Sequence, residues 1–327
     1  GAQLAAMGAT ALSAGTWYHG AMVFDGTKIT VYLNGVQDGV SSTISPDTIK
    51  ASSLPLIIGS VSSSAPGYVT NGSIDEVRIY NRALSADEVA QLYRLNAPTG
   101  TDTSLKGYWS FNGKDLSGTT AYDRSGAGNT GTLTNGPTVA TGKIGQALSF
   151  GGTDDYGLGG VSGISSNTSG TITAWIKSTN SSVVQVIFGA GTAASANYFM
   201  YFGSNTNGKL SVRFKGNGSD LLSCAVTDSG ASAQVSASGS WTFVALTNDA
   251  STGKQFYKNG VAQGHNCGAD TTWLNSLSGQ PPTSSSIGAA HIAGGDSNFF
   301  NGSIDEVRVY NRVLTAAEIA SLYNASR

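Results

Sequence analysis

Oxygen-bearing side chains gather near glycine-rich turns in this chain: Asp123 with Asn129, Asp154 with Asp155, and Asp305 with Glu306. Such hard oxygens suit calcium, which takes about six to eight of them, many from loop carbonyls. The same residues also suit plain structural work, with Asp305 and Glu306 capping turns or pairing with Arg308 and Arg312. Both readings stand at the level of sequence. Glycoside hydrolysis needs two carboxylates facing one cleft. Asp154 and Asp155 are adjacent, so a strand would aim them at opposite faces. The three histidines, His19, His265 and His291, accompany no G-x-S-x-G nucleophile motif. The glycines lie in turns rather than between a strand and a long helix, so no phosphate cradle is expected. The chain is expected not to be an enzyme. Cys224 and Cys267 form one disulfide in an oxidising compartment, or else remain two buried thiols; the partners that zinc needs are missing around them.

These residues are positioned by a pattern that occurs twice. Residues 71–94, NGSIDEVRIYNRALSADEVAQLYR, and residues 301–324, NGSIDEVRVYNRVLTAAEIASLYN, are identical at 17 of 24 positions. Each copy predicts a strand, Ile74 to Tyr80 or Ile304 to Tyr310, then a turn and one short helix. Ser85 with Glu88, and Thr315 with Glu318, have the spacing of a capping box, in which hydroxyl and carboxylate each satisfy a first-turn amide. Val89, Leu92 and Tyr93, like Ile319, Leu322 and Tyr323, form one apolar helix face that must lie on a larger body.

The remainder reads as strand and turn. Only 12% of residues are charged, 44 are glycine and the formal net charge is −2, a profile that suits a many-stranded all-β protein. No basic cluster offers nucleic acid or an anionic membrane an electrostatic footprint. No apolar run is long enough to insert into a membrane. The sequons at Asn71, Asn167, Asn180, Asn217, Asn301 and Asn324 are expected by chance in a chain so rich in Asn, Ser and Thr.

The run G-S-I-D-E-V-R-[IV]-Y-N-R-x-L-[ST]-x-x-E-[VI] resembles the C-terminal signature of laminin-G-like jelly-roll domains in the concanavalin A-like lectin/glucanase superfamily. Further similar features are Gly107-Tyr108-Trp109-Ser110-Phe111, Asp123-Arg124-Ser125-Gly126, Gly142 to Phe150 and Thr173-Ala174-Trp175-Ile176. The resemblance implies an all-β fold: antiparallel jelly-roll β-sandwiches in tandem, each with one short C-terminal helix. It also implies a calcium on the convex side, with Asp305 as chief ligand, a carbonyl from Gly151 or Gly152, and Asp123 assisting. Asp75 is the matching acid of the first copy. Glycanases of this superfamily carry E-x-D-x-E on one strand, which this chain lacks. Its lectins stack sugars on loop aromatics; here those are Trp273, the favoured residue, with Tyr156, Phe299, Phe300 and Tyr68. Trp17, Trp109, Trp175 and Trp241 lie in strand patterns and are expected in the core.

Residues 1–97 align with only the back half of the later domain: Gly15-Thr16-Trp17 with Gly239-Ser240-Trp241, and the Asn34-Gly35 hairpin with Asn259-Gly260. The expected organisation is therefore a C-terminal half domain over 1–97, a linker over 98–106 and a complete domain over 107–327. A half sandwich exposes a sheet face and open edges, so a neighbouring domain or chain of the same protein is expected to complete it. Two functions fit. One is a non-catalytic structural or adhesive protein, extracellular or on the cell surface, within a fibre or a large multidomain protein. The other is a carbohydrate-binding module of a secreted glycan-active protein, with polysaccharide as partner.

Overall fold

The computed structural model describes residues 6–40, 55–60, 69–96, 102–180, 182–192, 195–228, 234–235, 239–277, 280–291 and 295–325. Its contacts divide into two compact units, Gly1–Ala97 and Pro98–Arg327.

In the first unit, β1 (Gly20–Phe24), β2 (Ile29–Leu33) and β3 (Val36–Val40) form a three-stranded antiparallel sheet. Asn34 and Gly35 turn the chain between β2 and β3 with φ of 50° and 78°, the left-handed pair that a two-residue hairpin of matching twist requires. The helix α1 (Ala86–Asn96) buries Val89 and Leu92. A side chain at Gly35 would strike Ala90 and Tyr93 of that helix, so glycine also admits its close approach.

The second unit is a sandwich of two sheets. One contains nine strands. In spatial order these are β15 (Ser219–Ala225), β14 (Leu210–Gly216), β13 (Ser195–Ser204), β12 (Gln185–Thr192), β19 (Ser284–Ile287), β10 (Tyr156–Gly159), β7 (Gly131–Thr134), β6 (Thr120–Ala121) and β5 (Leu116–Ser117). The other sheet runs β18 (Val261–Gln263), β17 (Gly253–Lys258), β16 (Thr242–Asp249), β11 (Gly170–Ser178), β20 (Asn301–Tyr310), β9 (Gln146–Gly151) and β8 (Thr138–Thr141), with β4 (Leu105–Trp109) also paired to β20. The inner faces interdigitate Phe188, Phe202 and Phe214 with Ile172, Leu246 and Phe256, all fully buried, as aligned sheet packing demands. The helix α2 (Ala316–Ala325) crosses the outer side of the smaller sheet, where Tyr323 lies 5.7 Å from Trp175 and 6.1 Å from Phe243.

The two copies agree closely in local structure. Asn259 and Gly260 repeat the left-handed turn, with φ of 49° and 80°. Asn34 Oδ1 accepts the His19 N–H, as Asn259 Oδ1 accepts that of Phe243. Both capping boxes form: the Ser85 and Thr315 N–H groups donate to Glu88 and Glu318 at 2.8 Å, and the hydroxyls accept in return at 3.2 Å. The copies part at the strand. Residues 301–310 form β20, central in its sheet, whereas no strand is formed over residues 71–80 of the first copy. Trp17 differs from expectation for the same reason: it is 58% exposed because no described second sheet covers its face. Trp241 is half-buried, and Trp109 and Trp175 lie in the core.

Candidate functional site

The acidic residues do not converge on a metal. Asp305 sits fully buried on β20, and its Oδ2 accepts the N–H groups of Lys143 and Ile144 at 2.8 and 2.9 Å. Gly142 opens that turn because a side chain there would meet the carboxylate. The Gly-Lys-Ile-Gly motif is thus a cradle for Asp305, with the Lys143 ammonium 4.8 Å from the Trp175 ring centre. Burial, and then the adjoining Glu306, push the Asp305 carboxyl up to about 8.

Asp123 is occupied elsewhere. Its Oδ1 accepts from the Tyr108 and Ser125 N–H groups, and its Oδ2 from the Ser125 hydroxyl and the Asn129 N–H, all within 2.9 Å. Such a carboxylate organises a turn. Gly151 pairs with Asn301, four register positions from Asp305, or about 14 Å along a strand. A side chain at Gly152 would meet that same Asn301. Asp75 is exposed and accepts the N–H of Glu76. The calcium set of Asp305, Gly151 or Gly152, and Asp123 is therefore not assembled. Among the described residues no group of three or more His, Cys, Asp or Glu side chains could hold a metal ion.

Glu306 answers instead to the structural alternative. It accepts from the Tyr108 hydroxyl at 3.0 Å and pairs with Arg308, whose guanidinium lies 4.2 Å from the Tyr108 ring centre. Arg312 pairs with Glu318 at 2.8 Å.

The loop aromatics separate as well. Trp273, expected to stack on a ligand, is only 2% exposed and packs on Phe214 with ring centres 5.9 Å apart. Its place beneath β11, where it replaces the side chain that Gly170 lacks, makes it core. Phe300 is buried against Phe150 and Phe299 is half-buried. Tyr68 lies outside the described residues. Cys224 and Cys267 are joined. Their bond ties β15, at one edge of the larger sheet, to the loop beyond β18, at one edge of the smaller. It restrains a 43-residue separation, worth about 4 kcal/mol on the chain-entropy account.

Tyr156 brings partners together. The Tyr156 ring stacks on His291 at 5.7 Å, and His291 Nδ1 lies 2.5 Å from Asp296 Oδ1. A carboxylate only accepts, so the Nδ1–H of His291 donates to Asp296. Burial, then the hydrogen bond to Asp296, hold the Tyr156 phenol above its ordinary range. The His291 and Asp296 side chains are each about one-fifth exposed.

This group stands on the outer face of the nine-stranded sheet. Gly157 and Gly159 of β10 face inward, toward Leu133 and Trp109, so the alternation of the strand sends Tyr156 out. Three strands away, about 14 Å by strand spacing, β13 turns Phe199 and Tyr201 to the same face, stacked 6.2 Å apart. The Arg213 guanidinium lies 6.0 Å from the Phe199 ring centre and forks onto Asp220 at 2.8 and 3.1 Å. Ala290 packs with Phe199 and Tyr201, so the segment after β19 crosses the face between the two groups. The result is a strip of two acids, one imidazole and one guanidinium set over the largely buried rings of Tyr156, Phe199 and Tyr201.

Sequence reasoning found Tyr156 but missed His291, Asp296, Phe199, Tyr201 and Arg213. In β13, Phe199 and Tyr201 alternate with Met200 and Phe202, so both faces read as apolar and the pattern does not tell which is outward.

A family model described as the concanavalin A-like lectin/glucanases superfamily matches residues 1–90 and 150–320. The chain belongs to that superfamily. No curated protein matches it. Domain 4 of AbnA, an extracellular arabinanase from Geobacillus stearothermophilus solved in complex with arabinotriose, is 23% identical. The match covers 67% of this chain and 98% of that one, with a TM-score of 0.51. The binding domain of Paraclostridial Mosquitocidal Protein 1 is 14% identical over 68% of this chain and 52% of that one, with a TM-score of 0.50. Both share the fold of this chain. No helix among the described residues is long and apolar enough to cross a membrane.

Proposed function

We propose that the chain is a non-catalytic lectin-like module that takes carbohydrate on the outer face of the nine-stranded sheet. The observation that carries this reading is the Tyr156–His291–Asp296 group, where a one-fifth-exposed imidazole and carboxylate stand over the largely buried Tyr156 ring, within reach of hydroxyls. Jelly rolls bind at loops and faces that a rigid sandwich holds in place. The arabinotriose complex of the structural neighbour supports a pentose polymer as ligand class. The disulfide supports an oxidising, extracellular setting. The repeated copy favours a second role, as one unit of a structural or adhesive surface protein.

Calorimetric titration of the full chain with arabinotriose, followed by retention on a polysaccharide panel, tests the reading. Asp296→Ala and His291→Ala are expected to weaken whatever binding is found by about tenfold or more, the loss of one or two good hydrogen bonds. Retention on no polysaccharide, or binding that both variants leave intact, overturns it.

A further inference from the structure

The first unit carries a docking face whose complement is written in the second. Ile304, Val307 and Val309 are 0%, 0% and 3% exposed in the core between the two sheets; their counterparts Ile74, Val77 and Ile79 are 47%, 52% and 71% exposed. Leu56, Ile58 and Val69 extend that exposed apolar surface. Exposed apolar residues grouped on one segment in this way are the kind of surface that marks an interaction site.

The coverage in the second unit has three chemical parts. β4, β9 and β11 pair with β20, placing Trp109 opposite Val307 and Trp175 opposite Asp305. The Gly142–Gly145 turn supplies two N–H groups to Asp305. Tyr108 supplies a hydroxyl to Glu306 and a ring to Arg308. In the first unit the receivers of all three are present and unmet. The apolar residues are exposed, and the Asp75 carboxylate faces solvent. Arg78 pairs with Glu76 at 2.8 Å, while its Nη1 is buried with no partner.

We infer that residues 56–60 and 69–80 bind a polypeptide bearing a front half of the same fold. Such a partner brings an aromatic strand of the Gly107-Tyr108-Trp109 type, a Gly-Lys-Ile-Gly type turn and a central apolar strand of the type of β11. Docking would extend and cover the sheet at once, because strand 74–80 gains ladder partners as its apolar side chains leave water.

The test joins a copy of residues 98–224, carrying Cys224→Ala because the first unit has no partner cysteine, ahead of residue 1 of the full chain. Hydrogen exchange is then followed at residues 74–80. The amides there are expected to slow by about a hundredfold or more relative to the original chain, toward those of 304–310, while the particle stays monomeric by light scattering. Val77→Asp is expected to abolish the slowing in the joined chain and to leave the original chain unchanged. The inference is overturned if the joined segment leaves exchange at 74–80 as it was. It is equally overturned if those amides are already slow in the original chain. In that case, slowing that grows with concentration and a dimer mass would assign the face to a second copy, and slowing at every concentration would place the cover within the chain.

Discussion

Glu76 and Glu306 share one backbone conformation, φ +54° and +53°, and each pairs with the arginine two residues on, yet one side chain is 46% exposed and the other 1%. In β20 the left-handed residue marks a bulge: Thr173 faces Arg308 while Trp175 faces Asp305, so β20 carries one residue more than β11 between those pairs. The left-handed conformation is local and survives in both copies, whereas the bulge needs a paired strand and is seen only in β20. The burial is not local.

That difference sets the cost of losing each acid. Removing one partner of a buried pair strands a charge in the interior and costs about 3–5 kcal/mol, whereas an exposed pair is screened and contributes about 0–1 kcal/mol. Glu306→Ala is therefore expected to destabilise the second unit by several kcal/mol in denaturant unfolding, and Glu76→Ala to change the first unit by less than about 1 kcal/mol. Equal effects would contradict the burial difference.

Asp305 predicts a pH dependence for the second unit. Its carboxyl is raised to about 8 in the folded chain, against about 4 when unfolded, so the folded state holds the proton more tightly. The stability this confers is fully present below about pH 4 and is lost as pH rises through about 8. The thermal midpoint of the 98–327 unit is expected to fall by at least about 3 °C, roughly 1 kcal/mol, between pH 5 and pH 8. In Asp305→Asn the slope is expected to flatten, and an unchanged slope would count against the assignment.

His19 predicts the opposite sign for the first unit. Burial, then the nearby Arg78 charge, lower its imidazole, so the unfolded chain takes up a proton that the folded chain refuses. Stability is expected to drop as pH falls below about 6.5, seen as faster exchange across residues 20–33 after correction for intrinsic rates. The second unit holds Phe243 at this position, with the same contact to its helix tyrosine: 6.1 Å to Tyr323, against 6.0 Å from His19 to Tyr93. His19→Phe is expected to remove the acid sensitivity, and its persistence would point to another group.

The sequence by itself determined whatever depends on neighbours within a few residues. The capping boxes Ser85–Glu88 and Thr315–Glu318 and the hairpins at Asn34-Gly35 and Asn259-Gly260 form alike in both units, because their hydrogen bonds and left-handed turns close over two to three residues. The superfamily was legible for the same reason, since its signature is a run of such local devices. The tertiary structure decided what needs a partner far along the chain. Asp305 became the anchor of the Gly142–Gly145 turn, because residues 161 and 162 positions away bring their amides to it. Trp273 became core because β11 leaves a gap at Gly170, and His291 met Tyr156 because β19 and β10 are neighbours. The plainest case is the repeated stretch itself. Seventeen identities in 24 residues give a ten-residue buried strand where β4, β9 and β11 stand beside it, and no strand over 71–80, because a strand's ladder and its buried face are both supplied by other strands.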